Sequence, residues 1–316
     1  MEIYLNLNDL PSFEKPTAAA IGNFDGVHAG HQHIFKRLLD ISQKHKVSSL
    51  AVTFFPHPGK MIHPQKIQLI QTLNQRLDDI ASFQIDIALV IPFDKDFAAT
   101  APSDFVENIL HKNLRAQHVI VGSNFKFGKN RSGDTDSLKK SASFFNICVH
   151  SVGPVKLNDE PVSSSAIRRY LHAGQIEKAN LFLGKPYSIR GRVIKGHSRG
   201  RMLGFPTANL LPENEILPPG VFISRSRFNG KNHPSLTNIG TRPTFHPGNH
   251  RKNHLNVETY LTDIDSPLYG KHMTVEILKK IRNEKCFQNP EALRKQIRKD
   301  LQSARTYFEQ ASSVSP

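Results

Sequence analysis

Apolar positions in the first half of the chain follow two alternating rhythms. Short apolar runs at Thr17 to Gly22, Ser48 to Phe54, Ile85 to Ile91 and His118 to Val121 read as strands. Between them, His31 to Lys44, Gln75 to Phe83 and Phe105 to Leu114 carry helical periodicity. Strand and helix alternating at this spacing predict a parallel, doubly wound sheet. In such sheets ligands bind at the carboxyl ends of the strands, so the loops after Ile21, Thr53, Ile91 and Val121 are where chemistry is expected.

The rhythm then changes. Ser165 to Leu171 and Ile176 to Leu183 read as two short helices broken at Gly174; the second stops at Gly184 with Pro186 just beyond. The domain boundary is expected there, giving domains 1–184 and 185–316. Past it, strand-like runs separated by Gly, Pro and Asn turns occupy Tyr187 to Lys195, Gly220 to Phe228, His233 to Ile239, Asn256 to Leu261 and His272 to Ile281. A small antiparallel barrel fits that pattern. The chain closes with a helix from about Pro290 to Gln310, with Asn289 as cap and Leu293, Ile297 and Leu301 as its apolar stripe.

Composition narrows the class. At 316 residues two domains are the natural division, and 38% hydrophobic residues with 20 Phe exclude a disordered or fibrous chain. No apolar run approaches the roughly 18 residues of a membrane span, and Met1 to Asp9 lacks a secretory signal pattern. Cys148 and Cys286, far apart and without CxxC neighbours, argue against a disulfide framework and point to a reducing cytoplasm. The net charge of +15 suits nucleic acid, membrane surfaces or small phosphorylated ligands equally.

Two constellations choose among these. In the segment from Ile21 to His31, Gly22, Gly26 and Gly30 allow backbone to approach a ligand, at a point where a strand ends and a helix opens. His28 and His31, three apart, share one side and could donate hydrogen bonds to phosphate oxygens as charge develops. A metal site on His28, His31 and His33 lacks acidic or Cys partners, and the phosphate reading leads. The run from Val121 to Gly128, followed by Arg131 and Asp134, places the amide of Asn124 and two aromatic rings at a strand end. Ser163, Ser164, Ser165 and Arg168 open a helix as a cap or as a second phosphate clamp. The TFFPHP segment at 53–58 is a weaker signal that packing alone could explain.

In the second half, Gly196 to Asn209 is a Gly-rich connection in which Gly196, Gly200, Arg201, Gly204, Phe205 and Pro206 could cover phosphates. Thr207 and Asn209 lie at alternate positions on one side of an extended segment, a pair of neutral oxygens suited to Mg²⁺ held mainly through nucleotide phosphates. In the strand Val257 to Leu261, Glu258 and Tyr260 share a face. Glu258 is a proton acceptor if that face lines a site and an ordinary carboxylate if it meets solvent.

Together the stretches GNFDGVHAGH, SSSAIR, GRMLGFPTANL, NIGTRPTF and VETYL, in this order over nearly the whole chain, resemble the prokaryotic bifunctional riboflavin kinase/FAD synthetase family. The resemblance implies an amino-terminal Rossmann-like nucleotidylyltransferase domain that joins FMN to the AMP of ATP. It also implies a carboxy-terminal β-barrel kinase, closed by a helix, that makes FMN from riboflavin, with Mg²⁺ serving both steps. By matching positions, Gly22, Phe24, Asp25, His28, Gly30, His31, Asn124, Ser164 and Arg168 would meet ATP or the departing pyrophosphate. Thr207 and Asn209 would hold the kinase Mg²⁺, and Glu258 would be the catalytic base. Many relatives carry an acidic residue where Phe55 stands. The implied partners are small molecules, with no specific nucleic acid or membrane, and the chain a monomer or weak oligomer. The different-class alternative is a basic RNA-binding or amino-acid-adenylylating protein, because a similar His-x-Gly-His turn occurs in enzymes that activate amino acids for tRNA.

Overall fold

The computed structural model describes residues 1–62, 67–195, 204–241, 255–261 and 268–313. Contacts divide the chain into Met1–Ser164 and Ser165–Pro316.

The first unit is built on a six-stranded parallel sheet. Its strands are β1 (Glu2–Tyr4), β2 (Thr17–Ile21), β3 (Ser48–Phe55), β4 (Ile87–Pro92), β5 (Ala116–Gly122) and, after the hairpin of β6 (Lys126–Phe127) with β7 (Gly133–Asp134), β8 (Cys148–Val152). A second hairpin, β9 (Lys156–Leu157) with β10 (Glu160–Pro161), follows. The spatial order β1-β4-β3-β2-β5-β8 reverses direction between β2 and β5. In such sheets a ligand is expected at that switch point, outside the strand ends, because the connections on either side leave in opposite directions.

Alternate residues face opposite layers. Ala18, Ala20, Ala51 and Ala88 meet α1 (Ala29–His45) and α3 (Leu73–Ala81) through Ile34, Phe35, Leu38, Leu77 and Ile80; these small side chains allow the helices a close seat. The larger Ile21, Leu50, Val52, Leu89 and Val119 face Phe105, Val106, Leu110, Leu138 and Ala142 on the other side. The short helices α2 (Pro58–Ile62), α4 (Lys95–Ala98) and α5 (Pro102–Asp104) lie in the connections, and α5 runs into a π-helical segment, Phe105–Asn113. The alternating pattern predicted this layer structure; α3 begins two residues earlier than expected because Thr72 and Gln75 form a reciprocal capping box. The patterns of β1 and of α6 (Thr135–Ser143) with β8 escape a reading based on apolar runs: β1 has three residues, and four of the five in β8 are not buried.

The second unit carries α7 (Ser164–His172), whose first residue closes the first unit, and α8 (Ile176–Leu183), which ends at Gly184 with φ +69°, the left-handed cap expected of that glycine. By contacts both helices belong with the following barrel, some twenty residues ahead of that helix stop. The barrel closes in the order β11 (Tyr187–Ile194), β12 (Thr207–Pro212), β15 (Leu255–Leu261), β14 (Lys231–Thr241), β13 (Gly220–Phe228), β16 (His272–Arg282), every pair antiparallel.

Inside, Ile189, Val193, Leu210, Val257, Val275 and Ile277 are joined by five buried hydroxyls. Ser224 bonds Ser235 (2.8 Å) and Thr237 (2.7 Å), Ser226 bonds Ser235 (2.9 Å), and Thr237 bonds Thr259 (3.0 Å), so each pairs without water. The terminal α9 (Pro290–Ser313) is tied to β16 by Arg282, whose Nη2 and Nε lie 2.8 and 2.9 Å from Oδ2 of the buried Asp300.

Candidate active sites

The loop from Gly22 to His28 joins β2 to α1 at the switch point. Three of its residues sit at positive φ: Phe24 (47°), Gly26 (95°) and Val27 (39°). For Phe and Val that conformation is strained, and it persists because the surroundings hold it. The Asp25 carboxylate, buried, accepts from the backbone N–H of Ile70 at 3.1 and 3.2 Å and of Gln71 at 3.3 Å. Thr53 Oγ1, at the end of β3, donates to the Asn23 carbonyl at 3.0 Å, and Ser164 Oγ donates to the Asp25 carbonyl at 2.9 Å. A side chain on Gly22 would meet the Phe24 ring at 2.8 Å, so only glycine lets that ring fold under the loop.

His28 caps α1. Its Nδ1 accepts from the His31 backbone N–H at 3.4 Å, an arrangement that leaves the ring proton on Nε2 in the neutral form. The two imidazoles stack with centroids 3.6 Å apart and planes 18° from parallel. Beneath them Phe24, fully buried, meets His31 edge-on at 5.3 Å and Phe35 at 4.7 Å. Phe24 therefore supports His31 from below, and Asp25 anchors the loop to Ile70 and Gln71. Burial first, then His28 and Arg76, hold the His31 imidazole well below its usual 6.5. Its Nδ1 is enclosed with no partner among the described residues.

Arg76 is the residue that pattern reading misses. It is wholly buried on the Leu73, Leu77, Ile80 face of α3, donating from Nη1 to Thr53 Oγ1 (3.1 Å) and to the Phe54 carbonyl (3.2 Å). Its Nε and Nη2 have no partner among the described residues, and burial lowers its pKa although Asp25 opposes this. The available signal was a charge on an apolar helical stripe.

Asn124 stands exposed in the turn after β5, its Oδ1 over Gly122, where an added side chain would meet it at 3.2 Å. Asp134 caps α6 nearby, held at about 2 by hydrogen bonds from the Ser137 backbone and hydroxyl and from Lys126. Gly30 lies in the first turn of α1 against the His28 ring, Phe55 is exposed at the end of β3, and His33 is exposed on α1. Arg168 lies one turn after Ser164 in α7, within the second unit.

On the barrel, Val257, Thr259 and Leu261 point inward, so Glu258 and Tyr260 face outward, half-buried. Pairing sets Asn209 of β12 directly opposite Glu258 on one side and Asn238 of β14 opposite it on the other; Thr207 faces Tyr260 one step along. The result is a row of oxygen-bearing side chains, Asn209, Glu258 and Asn238, across three strands. Asn238 Oδ1 is enclosed without a partner among the described residues. The Phe205 ring approaches that of Tyr260 at 6.0 Å and 75°; Gly204 (φ +82°) and Pro206 are exposed beside it. Gly196, Gly200 and Arg201, like Arg242, Thr244 and Phe245 of the NIGTRPTF stretch, lie outside the described residues.

The two units coincide with two family matches: FAD synthetase over residues 10–166 and riboflavin kinase over 183–308. A bifunctional riboflavin kinase/FMN adenylyltransferase of Buchnera aphidicola is 35% identical over 98% of this chain and 98% of its own. The chain belongs to the bifunctional riboflavin kinase/FMN adenylyltransferase family. Proteins of that name from Bacillus subtilis (34% identical, 92% of each chain) and Escherichia coli (34%, 96% of each) also align over nearly the whole chain. A Streptococcus pneumoniae crystal structure named as a macrolide-efflux protein shares the fold at a TM-score of 0.86, 25% identity and coverage of 96% of this chain and 98% of that one. Among the described residues no helix is long and apolar enough to cross a membrane.

Proposed function

We propose that the chain carries out both family reactions, FMN adenylylation in residues 1–184 and riboflavin phosphorylation in residues 185–316, so that α7 and α8, which pack with the barrel, serve the first reaction. In the first unit a phosphate oxygen of FMN attacks the α-phosphorus of ATP, the bond to the bridging oxygen breaks, and pyrophosphate leaves with FAD formed. His28 and His31 donate to the phosphate oxygens as charge accumulates; imidazoles held in place by a cap and a stack lose little freedom in doing so. Gly22 and Gly30 keep backbone close, Asn124 meets the nucleotide from the β5 end, and Ser164 and Arg168 of the SSSAIR stretch bind further phosphate oxygens. Arg76, embedded behind the loop, adds a fixed positive charge.

In the second unit the terminal ribityl hydroxyl of riboflavin attacks the γ-phosphorus of ATP, ADP departs, and Glu258 takes the hydroxyl proton. The observation that carries this reading is the row of Asn209, Glu258 and Asn238, which puts a carboxylate between two amides on an otherwise ordinary barrel wall. The Thr207 hydroxyl, Asn209 amide oxygen and Glu258 carboxylate form an all-oxygen donor set of the kind that suits Mg²⁺, and Asn238 leaves an acceptor unused beside it. Thr207 and Asn209 would hold the ion; when bound it neutralises phosphate charge. Gly196, Gly200, Arg201, Gly204, Phe205 and Pro206 would cover the nucleotide.

Partners are ATP, riboflavin and FMN, with no specific nucleic acid or membrane; the anionic ATP and FMN suit the net charge of +15, and the chain acts in the cytoplasm as a monomer or weak oligomer. Incubation with riboflavin, ATP and Mg²⁺, followed by chromatography, should yield FMN and then FAD. Absence of both products would overturn the reading; salt-sensitive RNA retention on filters without flavin turnover would favour the RNA-binding alternative.

A further inference from the structure

At the opposite end of the sheet from the nucleotide loop lies a cluster that neither reaction uses. His118 is the third residue of β5, and Cys148 and His150 are the first and third of β8. The two strands pair with His118 opposite Cys148 and Ile120 opposite His150, so all three side chains emerge on the face that packs on α1. One potential ligand atom from each lies within 4.8 Å of the other two. His118 Nδ1 and His150 Nε2 are 3.2 Å apart, close to the separation of two nitrogens bound to one tetrahedral ion at Zn–N distances of about 2.0 Å. His45, the last residue of α1, lies against the His118 ring with centroids 4.3 Å apart and planes tilted by 42°.

We infer that His118, Cys148 and His150 form a binding site for a zinc-class divalent cation, stapling the amino-terminal ends of β5 and β8 beneath the end of α1. Two imidazoles and one thiolate are the borderline-soft donors such ions select, and Mg²⁺ would not compete for them. Burial, together with His45, His150 and Arg37, favours the neutral imidazoles that a metal requires. Arg37 opposes a bound cation; the thiolate charge offsets it. Binding forms one metal–sulfur and two metal–nitrogen bonds and releases the thiol proton to solvent. Cys148 is exposed, giving the ion an entry path, and solvent supplies the fourth ligand. His118 lies four residues, about 13 Å, up β5 from Gly122 at the catalytic end, so occupancy is expected to leave both reactions unchanged.

The test is titration of the full chain with Co²⁺ under a phosphine reductant, reading the thiolate-to-cobalt charge-transfer band, then displacement by Zn²⁺. One equivalent should produce the band. Cys148→Ser should abolish it, and His150→Gln should weaken binding by about tenfold or more. Zn²⁺ should raise the melting temperature of the wild-type chain and not of Cys148→Ser. No band, or a band that survives Cys148→Ser, overturns the proposal and leaves His118 and His150 as a hydrogen-bonded pair. FAD synthesis measured on the same samples reports separately on the nucleotide site.

Discussion

The imidazoles of His28 and His31 lie 3.6 Å apart and nearly parallel, one capping the helix and the other in its first turn. Their sequence spacing suggested a shared side; the stack makes them a unit in which each ring limits the motion of the other. Replacing His28 with Ala should therefore lower FAD formation from supplied FMN by about a hundredfold or more, the typical cost of a lost donor to developing charge. Riboflavin phosphorylation should persist. Measuring both activities on one folded sample checks this, and a parallel loss of the two would refute the assignment.

Glu258→Gln preserves size and hydrogen bonding between Asn209 and Asn238 and removes the proton acceptor. Kinase turnover should drop by roughly a hundredfold or more while ATP affinity holds, because phosphoryl transfer leans on positioning that Gln retains. Turnover within a few-fold of wild type would exclude this carboxylate as base. FAD synthesis from supplied FMN should be untouched.

Asn180 on α8 decides how the kinase half can be excised. Its amide donates to the Ile277 carbonyl at 2.8 Å, and its Oδ1 accepts from Tyr187 N–H at 2.7 Å, clipping the start of β11 to β16. A fragment of residues 165–316 should fold and form FMN; a fragment starting at Gly184 loses the clip together with buried Phe182 and Leu183 and should melt at lower temperature. Equal melting temperatures would show that α8 contributes nothing to the barrel.

His31 makes stability depend on pH. With its folded pKa below the usual 6.5, the unfolded chain binds its proton first, so its contribution is present above 6.5 and is lost as pH falls through that window. Behind burial, His28 and Arg76 both disfavour a proton on the His31 ring. Wild type should lose melting temperature on acidification more steeply than His31→Gln. Parallel pH profiles for the two proteins would contradict this.

Periodicity and turn chemistry were enough to read the alternating first half, the stop at Gly184 and the strand-rich second half, since these are local consequences of apolar spacing and of a glycine at φ +69°. The Gly-rich loop with its histidines was legible for the same reason: its residue types sit together in the chain. Arg76 was not, because only the folding of α3 against β3 brings it within reach of Thr53, 23 residues away. Nor was the setting of Glu258: alternation placed it on a face, and strand register alone, through contacts between residues distant in sequence, set Asn209 and Asn238 on either side and turned that face outward. The pairing of His118 with Cys148 and His150 has the same origin, for a parallel sheet joins strands that local sequence leaves unconnected.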